Sequence, residues 1–215
     1  MELILALYAL PYDPAYPVVC YDERPCFLNG DQIEPLAMQT GQIRREHYAY
    51  EKNGSCALLA AIEPLTGNRL AQVHAHRTKK EYTLFCQALA NEYPQAVRIR
   101  LVQDNLNTHD ASAFYENLPA DEAQALAERC EVYYTPKSAS WLNMIEIEFS
   151  ALTRLCLDRR IPSQEQLERE VLSLLAQRKA DKIKITWQFS VQTARSKLNA
   201  HYVKVQSDNR KFKET

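Results

Sequence analysis

Two aspartates each close an apolar run. Asp22 follows Val18-Val19-Cys20-Tyr21, and Asp104 follows Ile99-Arg100-Leu101-Val102-Gln103. In an open α/β sheet, residues just beyond the carboxyl ends of strands collect in one crevice, so these two carboxylates are expected to meet there. Carboxylates brought together repel unless a cation holds them. Hard divalent ions such as Mg²⁺ accept carboxylate oxygens, keep several waters and pair naturally with phosphates. Two such ions roughly 3.5–4 Å apart activate the attacking oxygen and stabilise the leaving one in an in-line phosphoryl transfer. A third acid would complete the cage, and a helix beginning near Trp141 offers Glu146 and Glu148. These two flank the apolar stripe through Ile145 and Phe149 on opposite sides, and periodicity does not choose between them. Each acid alone also has an ordinary reading as a turn former, a helix cap or a solvated charge. The chemistry emerges only when they are taken together.

Secondary candidates surround this set. Asn105 and His109 follow the second aspartate closely enough to orient a carboxylate or touch a phosphate. The basic group His74-His76-Arg77-Lys79-Lys80 is able to track a DNA backbone, since phosphate contacts carry most non-specific affinity, or to be a solvated helix start. Lys137, Ser138 and Ser140 lie just ahead of the helix with the third acid, where a hydroxyl or amide meets a phosphate. Trp141 is read as a packing residue rather than a platform for base stacking.

The elements that must position these residues follow from periodicity and punctuation. Residues 1–16, with Pro11 and Pro14, form a lead-in. Pro17 to Tyr21 reads as a strand buried on both faces that ends at Asp22-Glu23. Arg24 to Asn53 is polar and broken by Pro25, Gly30, Pro35 and Gly41, which predicts loops or weak strands. Ser55–Glu63 and Arg69–His76 around Pro64-Leu65-Thr66-Gly67-Asn68 predict an antiparallel hairpin. Thr78 with Glu81 three residues on predicts a capped helix ended by Pro94. A strand from Arg98 to Gln103, a helical stretch Asp110–Arg129 interrupted at Pro119, and a strand Glu131–Tyr134 come next. A helix Trp141–Arg159 and another from Ser163 to about Lys179 complete the pattern. The expected fold class is therefore α/β, a mixed sheet of an antiparallel hairpin plus parallel strands flanked by helices; the order fits an RNase H-like core without singling it out among other α/β arrangements. The expected organisation is one core over 17–162, a C-terminal helical extension of the same domain over 163–206, and a disordered tail over 207–215.

Bulk properties set bounds. A chain of 215 residues, 46% hydrophobic and 25% charged, buries one substantial core. With 26 basic against 27 acidic residues the net charge is −1, so composition carries no signature of a nucleic-acid binder. No apolar run approaches the ~20 residues that cross a bilayer, and no signal peptide is visible, so no membrane role and a cytoplasmic location are expected. Six scattered cysteines without a Cys-x-x-Cys pair are read as reduced thiols.

Three stretches resemble the signature blocks of IS630-type transposases, bacterial members of the Tc1/mariner-like group. They are Tyr21-Asp22-Glu23, then Leu101-Val102-Gln103-Asp104-Asn105-Leu106-Asn107-Thr108-His109, then Tyr134-Thr135-Pro136-Lys137-Ser138-Ala139-Ser140-Trp141-Leu142-Asn143-Met144-Ile145-Glu146. The likeness extends through Pro11-Tyr12-Asp13-Pro14 and Cys156-Leu157-Asp158-Arg159-Arg160-Ile161-Pro162. Met144 departs from the proline of many eukaryotic relatives, and the interval between the second and third acids is longer than in mariner-type relatives. The resemblance implies a DDE transposase catalytic domain with Asp22, Asp104 and Glu146 as catalytic and metal-binding acids, Glu148 being the runner-up for the third. It implies two Mg²⁺ ions, with Mn²⁺ able to substitute. The implied partners are the DNA of a mobile element's ends and a target such as TA, a second copy of the chain on that DNA, and a helix-turn-helix module for end recognition. The stretch before Asp22 is too short for that module, which is expected in another polypeptide or frame, and the working location is the bacterial nucleoid. Two other readings stand beside this one: an RNase H-like nuclease that cuts without joining, and a truncated, non-catalytic regulator of transposition.

Overall fold

The computed structural model describes residues 1–36, 40 and 47–210. The chain runs α1 (Glu2–Tyr8), β1 (Val18–Asp31), β2 (Tyr50–Glu63), β3 (Asn68–His74), α2 (Lys79–Glu92), β4 (Ile99–Gln103), α3 (Ser112–Asn117), α4 (Ala120–Arg129), β5 (Cys130–Tyr134), α5 (Ile145–Leu152), α6 (Gln164–Ala180), α7 (Val191–Lys197) and α8 (Asn199–Arg210). The strands form one sheet in the order β3-β2-β1-β4-β5. β1, β2 and β3 pair antiparallel, whereas β4 is parallel to both β1 and β5.

Alternation along the strands makes two cores, because successive side chains leave opposite faces of a sheet. Cys20, Leu58, Ala60, Ile62 and Val102 face a layer built from α1, α5 and α6. Val19, Tyr21, Leu59, Ala61, Ile99 and Leu101 face α2, α3 and α4. The helix start predicted at Thr78 is a full capping box, with the Thr78 side chain accepting from Lys80 N–H and Glu81 reaching back to Thr78 N–H. At the β2–β3 turn, Gly67 takes a φ of +81°, a conformation that favours glycine.

Four expectations change. β1 does not end at Asp22-Glu23 but continues to Asp31, paired with β2 as far as Tyr50. Its parallel pairing with β4 stops at Cys20, so among the described residues β2 is the only strand beside Pro25, whose missing N–H is tolerated at such an edge. Much of the stretch expected as loops is therefore long hairpin, and 37–39 and 41–46 fall outside the described residues. The predicted helix from Trp141 to Arg159 is in three pieces: a 3-10 turn at Ser140–Leu142, α5, and a π-helical turn at Thr153–Leu157. The lead-in contains a helix, α1, whose Ile4 and Leu7 join the core and whose Tyr8 hydroxyl donates to Leu142 O at 2.8 Å. The backbone of 207–210, expected in the tail, is helical, and 211–215 lie outside the described residues.

Candidate catalytic site

Strand register brings the two aspartates together. The last partners in the parallel β1–β4 pair are Cys20 and Val102. Two residues further along each chain stand Asp22, on the face of Cys20 by the two-residue alternation of strands, and Asp104, the first residue past the end of β4. That face is the one covered by α5, whose Ile145 and Phe149 share a core with Cys20 and Val102. The start of α5 is pinned to the sheet beside Asp22, because Asn143 Nδ2 donates to Tyr21 O at 2.8 Å. Asn143 is 1% exposed, so this bond is shielded from water. The sequence reading did not single out its role, which depends on a contact between distant parts of the chain.

The electrostatics are those of crowded acids. Burial, more than anything else, pushes the Asp22 carboxyl up to about 7. The Glu23 N–H bond opposes that rise, the charges of Asp104 and Glu146 add to it, and His109 pulls it back. Asp22 Oδ1 accepts from Glu23 N–H at 2.7 Å. Asp104 Oδ1 lies 2.6 Å from His109 Nδ1, and Glu23 Oε1 lies 2.9 Å from His109 Nε2. Burial alone would lower the His109 imidazole, but its hydrogen bonds to Asp104 and Glu23, with their charges, outweigh it and hold the ring at about 9. His109 is wholly buried, so it has no free atom for a phosphate and belongs to the carboxylate-orienting reading instead. Glu23, half of the Asp22-Glu23 pair, was not a candidate because its partner lies 86 residues away.

The two candidates for the third acid have opposite surroundings. Glu146 is exposed, makes no ion pair among the described residues, and acts electrostatically on Asp22. Glu148 is 1% exposed and held from two sides. Arg69 donates to it at 2.9 and 3.1 Å, and Arg178 at 2.8 and 3.1 Å. Burial would raise the Glu148 carboxyl, but the two guanidiniums outweigh it and lower it. All of its acceptor directions serve a buried structural cluster that ties β3 and α6 to α5.

Two clefts flank the loop after β4. One, about 380 Å³, is lined by Asp104, Asn105, Leu106, Thr135 and the turn bearing Lys137, Ser138 and Ser140. The other, about 310 Å³, is lined by Glu23, Arg77, Asn105 and residues 106–108. Five expected contact residues therefore gather at the second aspartate: Asn105, Arg77, Lys137, Ser138 and Ser140. Lys80 is exposed and lines neither cleft. Lys79 is engaged by Ser112 and Glu116 of α3. Trp141 packs edge-to-face on Phe189 with centroids 5.4 Å apart, in keeping with packing rather than stacking on a base.

Among the described residues, no three His, Cys, Asp or Glu side chains lie close enough to hold one ion as placed. The donor set nonetheless suits a hard divalent cation: three carboxylates from a strand, a strand end and a helix, two of them with one oxygen already fixed. The cost of ionising Asp22 beside Asp104 and Glu146 is what a bound cation would remove. No helix among the described residues is long and apolar enough to cross a membrane.

Residues 17–168 match the family described as DDE superfamily endonuclease. No match is found among curated proteins. Three solved structures share the fold. The Mos1 mariner paired end complex with Mn superposes with a TM-score of 0.56 at 17% identity, over 85% of this chain and 55% of that one. The Mos1 strand transfer complex gives 0.55 at 16% identity, again over 85% and 55%. The pre-cleavage Mos1 transpososome gives 0.51 at 14% identity, over 87% and 61%. The mixed sheet flanked by helices is thus the RNase H-like architecture that the element order fitted and the family resemblance implied. The chain spans little more than half the length of these Mos1 chains.

Proposed function

The chain belongs to the DDE superfamily of endonucleases, and from that premise we propose that Asp22, Asp104 and Glu146 form the acidic triad of a transposase catalytic domain. The observation that carries this reading is the register of Asp22 with Asp104 beneath the helix that bears an unpaired Glu146. Glu148, the other candidate, is occupied by Arg69 and Arg178 and serves the fold.

The triad would hold two divalent ions, Mg²⁺ or Mn²⁺, which supply Lewis-acid activation of the attacking oxygen and charge stabilisation at the leaving one. The protein's share is positioning. Asp22 and Asp104 project from adjacent strands of a rigid sheet, and Glu146 from a helix pinned by Asn143. The attacking groups come from outside the chain: water first, at the end of a mobile element, then the freed 3′-hydroxyl at a target such as TA. No covalent enzyme intermediate is needed. Lys137, Ser138, Ser140 and Asn105 bring a cation, hydroxyls and an amide to the cleft beside Asp104, which suits a phosphate backbone.

The net charge of −1 gives little general attraction to DNA. End recognition is accordingly assigned to a helix-turn-helix module outside these residues, and work on paired ends to a homodimer in the bacterial cytoplasm, at the nucleoid. The test is to incubate the protein with DNA carrying the element's ends, a supercoiled target and Mg²⁺ or Mn²⁺, adding the recognition module in a parallel arm. Cleaved ends joined to target support the reading. Cut but unjoined ends identify a nuclease, and DNA binding without cutting identifies a regulator.

A further inference from the structure

We propose that Glu23 is the positioning residue that sets both aspartates of the triad, Asp22 through its backbone N–H and Asp104 through its side chain by way of His109. The inference rests on the triad assigned above. Glu23 alternates with Asp22 along β1, so its side chain leaves the opposite face and is only 2% exposed, which removes it from the ligand set. Its Oε1 takes the Nε2 side of the His109 ring, and the Tyr21 hydroxyl donates to the same oxygen at 3.3 Å.

The ring itself has little freedom. It stacks on Tyr82, centroids 5.0 Å apart and planes 30° apart, and meets the edge of Tyr21 at 5.2 Å. Its backbone carbonyl accepts from Gln103 Nε2 at 2.7 Å and from the Tyr134 hydroxyl at 3.1 Å. Both ring nitrogens face carboxylate oxygens, so the ring is held between Asp104 and Glu23. The Asp104 side chain, 31% exposed, is thereby gripped at Oδ1 while it borders the cleft. Among the described residues neither Asp22 Oδ2 nor Asp104 Oδ2 has a hydrogen-bond donor, so each aspartate presents one aimed oxygen. Groups that orient ligands in this way typically change metal affinity 10–100-fold when removed.

Mn²⁺ alone is the probe, titrated by calorimetry into the full chain and its variants, with thermal melting run alongside. Glu23→Gln and His109→Asn should each weaken Mn²⁺ binding by about 10–100-fold. The double variant should bind no worse than the weaker single, within about twofold, because the two act in series. Thr83→Val removes a buried hydroxyl bonded to Lys79 O and Ala113 O, so it should lower Tm while leaving Mn²⁺ affinity unchanged. Should the singles not fold, Glu23→Asp, which withdraws the carboxylate from His109 Nε2 while keeping its charge, decides: weakened Mn²⁺ binding agrees, and binding as in wild type overturns the relay. Singles that bind as wild type while Asp104→Asn does not, or losses that multiply in the double, overturn the role of Glu23 and leave the triad standing. Unchanged binding in both Asp22→Asn and Asp104→Asn overturns the triad itself.

Discussion

Asp22 and Asp104 occupy equivalent places on neighbouring parallel strands, each two residues past the final partners Cys20 and Val102. That equivalence does two things. It brings both carboxylates to the same end of the sheet, and it adds their mutual repulsion to the burial that chiefly makes Asp22 reluctant to ionise.

The first expectation concerns pH. The folded Asp22 carboxyl sits at about 7 against an ordinary 3.8, so between those values the folded state holds more protons than the unfolded one. Stability without metal therefore falls as pH rises from about 4 to 7 and stays at the lower level above that. His109, raised from 6.5 to about 9, adds stability that is full below 6.5 and lost as pH rises through 9. Melting temperatures in chelator from pH 5 to 8 should show this fall, and Asp22→Asn should remove its lower part. An Asp22→Asn profile parallel to wild type contradicts the assignment.

Glu146 and Glu148 should separate function from stability. Glu146→Gln is expected to abolish metal-dependent cleavage with Tm unchanged. Glu148→Gln leaves the buried Arg69 and the partly buried Arg178 without their countercharge, a loss on the order of 3–5 kcal/mol when a buried pair is broken. Denaturant unfolding and a cleavage assay on both variants check this, and the reverse pattern would move the third ligand to Glu148.

Two lysines near the site should differ as DNA contacts. Lys137 is exposed at the cleft beside Asp104, whereas Lys79 is engaged with Glu116. Lys137→Ala should lower the slope of log affinity against log salt by about 1, and Lys79→Ala should leave it unchanged. Equal slopes for the two variants would remove Lys137 from the DNA path.

Gly67 supports the cluster around Glu148 from a distance. A Cβ there would sit 2.8 Å from Ile183 O on a backbone with φ of +81°. Gly67 O and Ile183 O both accept from Arg69, at 2.6 and 2.7 Å. Gly67→Ala should cost about 1–2 kcal/mol from the left-handed backbone alone, plus the displaced segment, and lower Tm. Mn²⁺ affinity should not change.

Local physics made much of this readable from residue order. The Thr78 capping box, the Pro64–Asn68 turn and the short apolar strand before Asp104 each declare themselves within a few residues, and the structure has them all. The continuation of β1 past Asp22 was hidden because Pro25 and its polar neighbours look like loop, whereas pairing with β2 along the whole stretch makes them strand. Resemblance favoured Glu146 over Glu148, and the engagement of Glu148 by Arg69 and Arg178, which supports that choice, is invisible to helix periodicity. The link from Glu23 to His109 was equally out of reach, since it joins two faces of a site through a ring buried between tyrosines.

The most direct measurement is Mn²⁺-dependent DNA cleavage by Asp104→Asn beside wild type, with melting curves confirming that both are folded. Loss of a metal ligand worth several kcal/mol predicts a rate at least about 100-fold lower. Asp104→Asn that is folded and cleaves as fast as wild type would contradict the site.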